Sequence, residues 1–346
     1  MKKKIIFGVL AVLLFIVAFF GMKFFGSAVS TPSGEFFYIK TGATYDDVKN
    51  ELVEKKYIGS ATWFNLASKA LSYKNIKPGR YKLEKGMSIV KLVRKLRACD
   101  QAPVNLIITK LRTKENLASR VGKLYECDSA AMMDFLNNND SLQRFKLDTN
   151  TAMVAAMPLT YSINWNTTPG KIFAQLHKAY EIFWDPRRKQ RASNLKLTPE
   201  QVVTLASIIE EETTKKTDKP NIASTYLNRI EKGMPLQADP TVKFAMKDFG
   251  LRRILNVHLK TESPYNTYLN RGLPPGPICT PSAETIDAVL NAPKTEYLYF
   301  VANSNFDGTH IFTTDYADHM KFAREYQKAL TILMKKKDSL AKTNPN

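Results

Sequence analysis

The chain has 346 residues, with 51 Lys and Arg against 32 Asp and Glu, and a formal net charge of +19. A composition 44% hydrophobic and 24% charged excludes disorder, a collagen-like fibre and a multi-span membrane protein. Three cysteines without a CxxC pair exclude a disulfide scaffold and argue against a thiolate zinc site, while the charge points to an acidic partner, nucleic acid included.

Lys2, Lys3 and Lys4 precede an uncharged run, Ile5 to Met22. Its length reaches the lower limit for crossing a bilayer, roughly 17 residues. A cleaved signal peptide is the alternative, with Gly26-Ser27-Ala28 as its site, but its apolar region would be only about 7–15 residues long. We therefore read residues 1–26 as a cytoplasmic stub and an uncleaved single-pass anchor. The lysines keep the amino terminus in the cytoplasm and place the rest outside the cytoplasmic (inner) membrane. Nucleic acid is scarce there and no motif for it is recognisable, so it is not expected as a partner. Residues 27–34 read as a linker.

Phe36-Phe37-Tyr38-Ile39 has strand composition, Thr41-Gly42 makes a turn, and Thr44 caps a helix with Val48 and Leu52 inward. The same grammar returns 44 residues later, with Tyr81-Lys82-Leu83 as strand, Gly86 for Gly42, Ser88 for Thr44, and Leu92 and Leu96 as the inner face. A weaker third copy has Val104 to Thr109 as strand, Thr113 as cap, Leu117 and Val121 inward, and Leu111 in place of the turn glycine. Such units resemble LysM-like modules that bind N-acetyl sugars; a purely structural role is the favoured reading. Residues 128–158 read as polar helix and loop. Thr168-Pro169 opens an amphipathic helix that ends near Trp184-Asp185-Pro186, and the basic run Arg187 to Arg191 reads as a solvated surface.

Thr198-Pro199-Glu200-Gln201 is a strong helix start. The helix runs into Glu210-Glu211-Glu212-Thr213. At about 100° per residue from Leu205, Glu212 falls near −20°, inside the apolar stripe. Glu210 lies on its margin and Glu211 on the polar face with Thr204. A carboxyl in an apolar stripe at a helix carboxyl end has a raised pKa, as a general acid needs; an ion pair with another element is the competing reading. A second helix, Asn221 to Lys232, turns Ile222, Ala223, Tyr226, Leu227 and Ile230 inward and stops at Gly233. The following loops, Met234 to Thr241, Ser263 to Tyr268 and Gly272 to Ile278, are rich in Pro, Gly, Tyr, Asn and Gln, a composition that suits sugar binding. Glu296 to Val301 reads as a buried strand paired with His310-Ile311-Phe312.

Residues 206–213, Tyr226-Leu227-Asn228-Arg229, residues 233–242, Tyr265-Asn266-Thr267-Tyr268 and residues 272–278 resemble the YceG-like (MltG) endolytic murein transglycosylases over about Phe36 to Tyr326. The resemblance implies an α+β chain with an amino-terminal transmembrane helix, a small LysM-like α/β subdomain at 35–102, a larger mixed α+β catalytic domain at 103–335 and a polar tail at 336–346. It implies Glu212 as the catalytic acid, the residue the helical wheel selects on its own grounds, with Glu210 as second-choice carboxylate. Substrate binding is expected from Gln237, Asp239, Thr241, Tyr265, Asn266, Tyr268 and Asn228. Pro158-Leu159-Thr160-Tyr161 lacks the aspartate of the family pattern. The implied substrate is the glycan of nascent peptidoglycan, cut at the MurNAc-GlcNAc β-1,4 bond with a 1,6-anhydro end, ending strand elongation. Peptidoglycan synthases are the implied partners; neither metal nor cofactor is implied. A hydrolase using Asp239 or Glu210 as a second carboxylate and a non-catalytic cell-wall scaffold are the alternatives.

Overall fold

The structure, a computed structural model, describes residues 2–251 and 253–343, with side chains described to Lys335. The end of the polar tail, 344–346, lies outside the described residues. The chain is mixed α+β and divides into two units.

The first unit comprises Met1–Leu106, Val121–Asp128 and Ser162–Thr168. Helix α1 (Lys2–Phe25) is long and apolar enough to cross a membrane. After it come β1 (Phe36–Ile39), α2 (Tyr45–Glu54), α3 (Ala61–Ala70), β2 (Gly79–Lys82) and α4 (Ile89–Ala98). Strands β1 and β2 pair antiparallel, with Phe37 opposite Tyr81. The 44-residue correspondence holds in backbone detail. Gly42 and Gly86 take φ of +85° and +84°, a left-handed conformation that disfavours side chains. Thr44 and Ser88 cap α2 and α4 by accepting from the Asp47 and Lys91 N–H groups, and Val48, Leu52, Leu92 and Leu96 are buried together. Residues 27–34, expected as a linker, are stitched to this unit. The Ala28 and Val29 N–H groups donate to the Met87 carbonyl, the Gly86 N–H donates to Val29, and Val29 is buried in the core. The end of α1 joins in as well, with Phe19, Phe20 and Phe24 packing edge-on around Trp63.

Strand β3 (Val104–Ile107) and α5 (Lys114–Leu124) follow the expected third copy, with Thr113 accepting from Asn116 N–H and Leu117 and Val121 buried. Leu111 replaces the turn glycine because this turn is held otherwise: Leu111 is buried and its N–H donates to Thr280 Oγ1 at 2.9 Å.

The second unit, Ile107–Arg120, Ser129–Tyr161 and Pro169–Asn346, is mainly helical. Its helices α6 (Ser129–Leu136) and α7 (Asn139–Gln143) are followed by a 3₁₀ turn, Ala152–Ala155, and by strand β4 (Thr160–Ile163). Then come α8 (Pro169–Phe183), α9 (Pro186–Asn194), α10 (Pro199–Glu212), α11 (Lys219–Glu231), α12 (Asp239–Met246) and α13 (Ala283–Leu290). Strands β5 (Tyr299–Ala302) and β6 (His310–Thr313) form an antiparallel hairpin with Phe300 opposite Phe312, against which α14 (Tyr316–Thr343) packs. The hairpin is half-buried rather than buried, since α14 and α11 leave part of it open. The basic run of α9 is not wholly solvated either. Arg188 forks onto Asp287 of α13 through two bonds of 2.9 Å, a bidentate geometry that guanidinium and carboxylate share.

Candidate active site

Helix α10 is the axis of the second unit, packed by α9, α11, α12 and α13. Thr198 accepts from the Gln201 N–H, and Gln201 returns a bond to the Thr198 N–H. Every residue from Val202 to Ile209 is buried. Ser207 sits on this surface as a polar hinge point. Its hydroxyl donates to the Thr204 carbonyl at 2.7 Å and accepts the Ile278 N–H at 2.9 Å, which docks the Pro-Gly loop onto the helix.

A helix buried all round gives its three terminal glutamates three different partners. Glu210 accepts from Lys219 at 2.9 Å, from Ser282 at 3.1 Å and from Thr285. Burial opposes its ionisation, but Thr285 and Lys219 outweigh burial and hold its pKa below the usual carboxylate value. Glu211 was expected on a polar face; Arg112 grips it at 3.0 and 2.9 Å, Lys110 lies 3.2 Å away, and its pKa is likewise lowered against the pull of burial. Thr204, assigned to the same face, is buried. The correction has a simple cause: the partner that covers this face comes from a segment 99 residues earlier.

Among the described residues Glu212 has no ion pair; the charges of Lys243 and Arg229 act on it only weakly. Its Oε1 accepts a 2.7 Å bond from the Tyr226 hydroxyl, itself buried on α11. Loss of hydration pushes the Glu212 pKa up to about 7. Tyr226 opposes that rise by favouring the charged form, and the charge of Asp239 adds to it. The result is a carboxyl group that gives and takes a proton near neutrality.

Glu212 borders two concavities. One, of about 290 Å³, is lined by Tyr226, Arg229, Gln237, Asp239, Tyr268, Phe300 and His319. The other, of about 420 Å³, runs past Lys110, Thr213, Thr214, Asn303, Phe306, His310 and Tyr326. Both volumes suit a saccharide-sized ligand, for which pockets of roughly 300–1,000 Å³ are usual.

The sequence from residue 37 to 325 matches the model of the YceG-like family. The chain belongs to the YceG-like family. A Bacillus subtilis (strain 168) protein named endolytic murein transglycosylase is 30% identical over 307 residues, covering 83% of either chain. A Streptococcus pneumoniae (D39) protein of the same name is 27% identical over 323 residues, and the chain spans 57% of that longer relative's length. Among solved structures, the crystal structure of a YceG-like protein from Listeria monocytogenes superposes with a TM-score of 0.52 at 28% identity, covering 83% of this chain and 98% of that one.

Within this YceG-like frame the expected substrate residues separate into two groups. Gln237, Asp239 and Tyr268 line the smaller cleft with Glu212. Tyr268 donates to Asp239 at 2.6 Å, and Gln237 is fixed at φ +52° with its N–H on the Thr267 carbonyl. Asp239 is also the first residue of α12 rather than a loop residue, which places its carboxylate at a helix amino terminus. The other group builds the walls. Thr241 is buried and bonds the Ala238 carbonyl and Thr267. Asn266 is buried and donates to the Leu259 and Thr261 carbonyls, and Asn228 donates to the Thr295 and Tyr297 carbonyls. Tyr265 packs on Phe244 with 4.7 Å between ring centroids. Three lining residues are absent from the expected site: Arg229, which lies in a family motif, Phe300, which lies in an expected strand, and His319, for which the sequence offers no signal. Arg229 is buried and spends its donors on the Leu298 and Leu236 carbonyls. Burial and the nearby Arg229 charge hold the His319 pKa down.

Proposed function

We propose that this YceG-like chain is an endolytic murein lytic transglycosylase in which Glu212 is the catalytic acid and base. The observation that carries this reading is the contrast among the three glutamates. Two are held ionised with cations against them, and the third alone has its pKa raised to about 7. The relatives named endolytic murein transglycosylase support the substrate class.

With Tyr226 occupying Oε1, the proton is delivered from Oε2. Glu212 protonates the oxygen between N-acetylmuramic acid and N-acetylglucosamine, that bond breaks, and positive charge develops on the muramic sugar. The C6 hydroxyl of the same sugar then attacks C1, and its proton returns to Glu212, closing a 1,6-anhydro ring with no water consumed. One carboxyl group serves both steps, whereas a hydrolase needs a second. Glu210, the expected second carboxylate, is committed to Lys219, Ser282 and Thr285, so a hydrolase would have to use Asp239, the other carboxylate of the smaller cleft. Gln237, Asp239 and Tyr268 orient the sugar. Cutting strands as they are made ends their elongation. Helix α1 anchors the enzyme in the cytoplasmic membrane with its lysine-flanked start inside, and the paired strand-turn-helix copies act as a LysM-like module outside.

The test is mass spectrometry of peptidoglycan treated with the detergent-solubilised full chain. Anhydro-muropeptides are the expected products and are lost in Glu212→Gln. Hydrated reducing ends alone, or undiminished cleavage by Glu212→Gln, would overturn the assignment.

A further inference from the structure

The larger concavity beside Glu212 contains an aromatic residue in an unusual place. Phe306 sits at the tip of the β5–β6 hairpin with φ +58°, a region side-chain-bearing residues occupy rarely and phenylalanine at a cost. It is 41% exposed, although a buried position would repay that cost better. Its ring meets Tyr326 of α14 with 5.7 Å between centroids, and both line the concavity that reaches Glu212.

The tip is braced. Asp307 accepts from the Thr309 N–H at 2.7 Å and from Asn305 at 2.8 Å, the Phe306 N–H donates to the Asn303 carbonyl at 3.1 Å, and Gly308 takes φ +83°. A ring held outward on a rigid turn is preorganised for a flat apolar partner. The groove around it carries hydroxyl and amide groups from Thr213, Thr214, Asn303 and Thr309, several of them already bonded within the chain, beside the charged Lys110, Glu210 and Glu211. An aromatic face surrounded by such groups suits a pyranose, which offers one apolar face and a rim of hydroxyls.

We propose that Phe306, with Tyr326, forms a stacking platform for a sugar unit of the glycan in the second concavity that Glu212 borders, apart from the Gln237–Asp239–Tyr268 cleft. The proposal rests on the glycan-cleaving reading and adds a second binding region, so that the glycan is gripped in both concavities. The platform is a specificity element for long strands, because a short fragment cannot fill both concavities.

The experiment measures binding apart from cleavage. Peptide-free peptidoglycan glycan strands are titrated against the full chain in detergent, in a Glu212→Gln background that leaves the strands intact. Phe306→Asn removes the ring and adopts positive φ readily, so the fold is kept; its affinity is expected to fall about tenfold. Phe306→Tyr is expected to stay within about twofold of the parent. With Glu212 intact, Phe306→Asn is expected to raise KM for long strands while kcat holds. Unchanged strand affinity in Phe306→Asn, or a loss confined to association with phosphatidylglycerol vesicles, overturns the platform. Absence of anhydro ends from the unmodified chain, with strand binding still dependent on Phe306, would instead overturn the lyase reading and leave the platform standing.

Discussion

Replacing Tyr226 with Phe isolates the one side-chain hydrogen bond that Glu212 makes among the described residues. The carboxyl group is raised from 4.5 to about 7. At roughly 1.4 kcal/mol per pH unit, its ionisation costs the fold about 3 kcal/mol. Because the folded value lies above the unfolded one, stability at this site is full below pH 4.5 and is lost as pH rises towards 7. The Tyr226 hydroxyl, 2.7 Å from Oε1, favours the ionised form. A bond to a charged group is worth about 1.5–3 kcal/mol and one to a neutral group about 1 kcal/mol. Tyr226→Phe therefore costs about 1 kcal/mol at pH 5 and about 2–3 kcal/mol at pH 8.5, and moves the alkaline limb of activity upward by about one pH unit. Urea unfolding of the full chain in detergent at the two pH values measures this, with Glu212→Gln as the reference whose site no longer titrates. Equal losses at both pH values would refute the claim that the hydroxyl serves the ionised carboxylate.

Other substitutions read separate links in the structure. Ser207→Ala leaves the buried Ile278 N–H without its acceptor and costs about 1–3 kcal/mol in denaturant stability; a loss below a few tenths of a kcal/mol would mean the loop finds another anchor. Gly42→Ala and Gly86→Ala force a side chain into the left-handed region and cost about 1–2 kcal/mol each, alike in the two copies. Unequal melting shifts would deny the equivalence. Lys219→Met strands the Glu210 carboxylate and costs about 3–5 kcal/mol at pH 8, and less as acid protonates the stranded carboxylate; a pH-independent loss would show that packing, not charge, is what Lys219 supplies.

The direction of Glu212 was legible because one helix, with its own period, determines it. The caps of α2, α4 and α10 were legible for the same reason: each rests on residues three apart. Contributions from distant segments were not. Glu211 looked solvated because nothing near it in sequence reveals Arg112. Asn228, Asn266 and Thr241 carry the chemistry of sugar binding, yet they spend it on backbone groups of the protein's own loops. An amide that ligates a sugar and an amide that ties a loop are the same letter. Residues 27–34 have linker composition, but composition does not report that Val29 enters a core.

The three glutamates at the end of α10 also bear on how the gene can vary. Each carboxylate is engaged from a different direction, by α13 and Lys219, by Arg112, and by Tyr226. One inserted or deleted codon between Ser207 and Glu212 would turn the acids by about 100°. Each glutamate would then stand in a neighbour's place and take the protonation state that the partners there impose. A glutamate repeated three times therefore still fills two of the three places after a slip of one residue, so the triplet buffers a change of length that a lone acid would not survive.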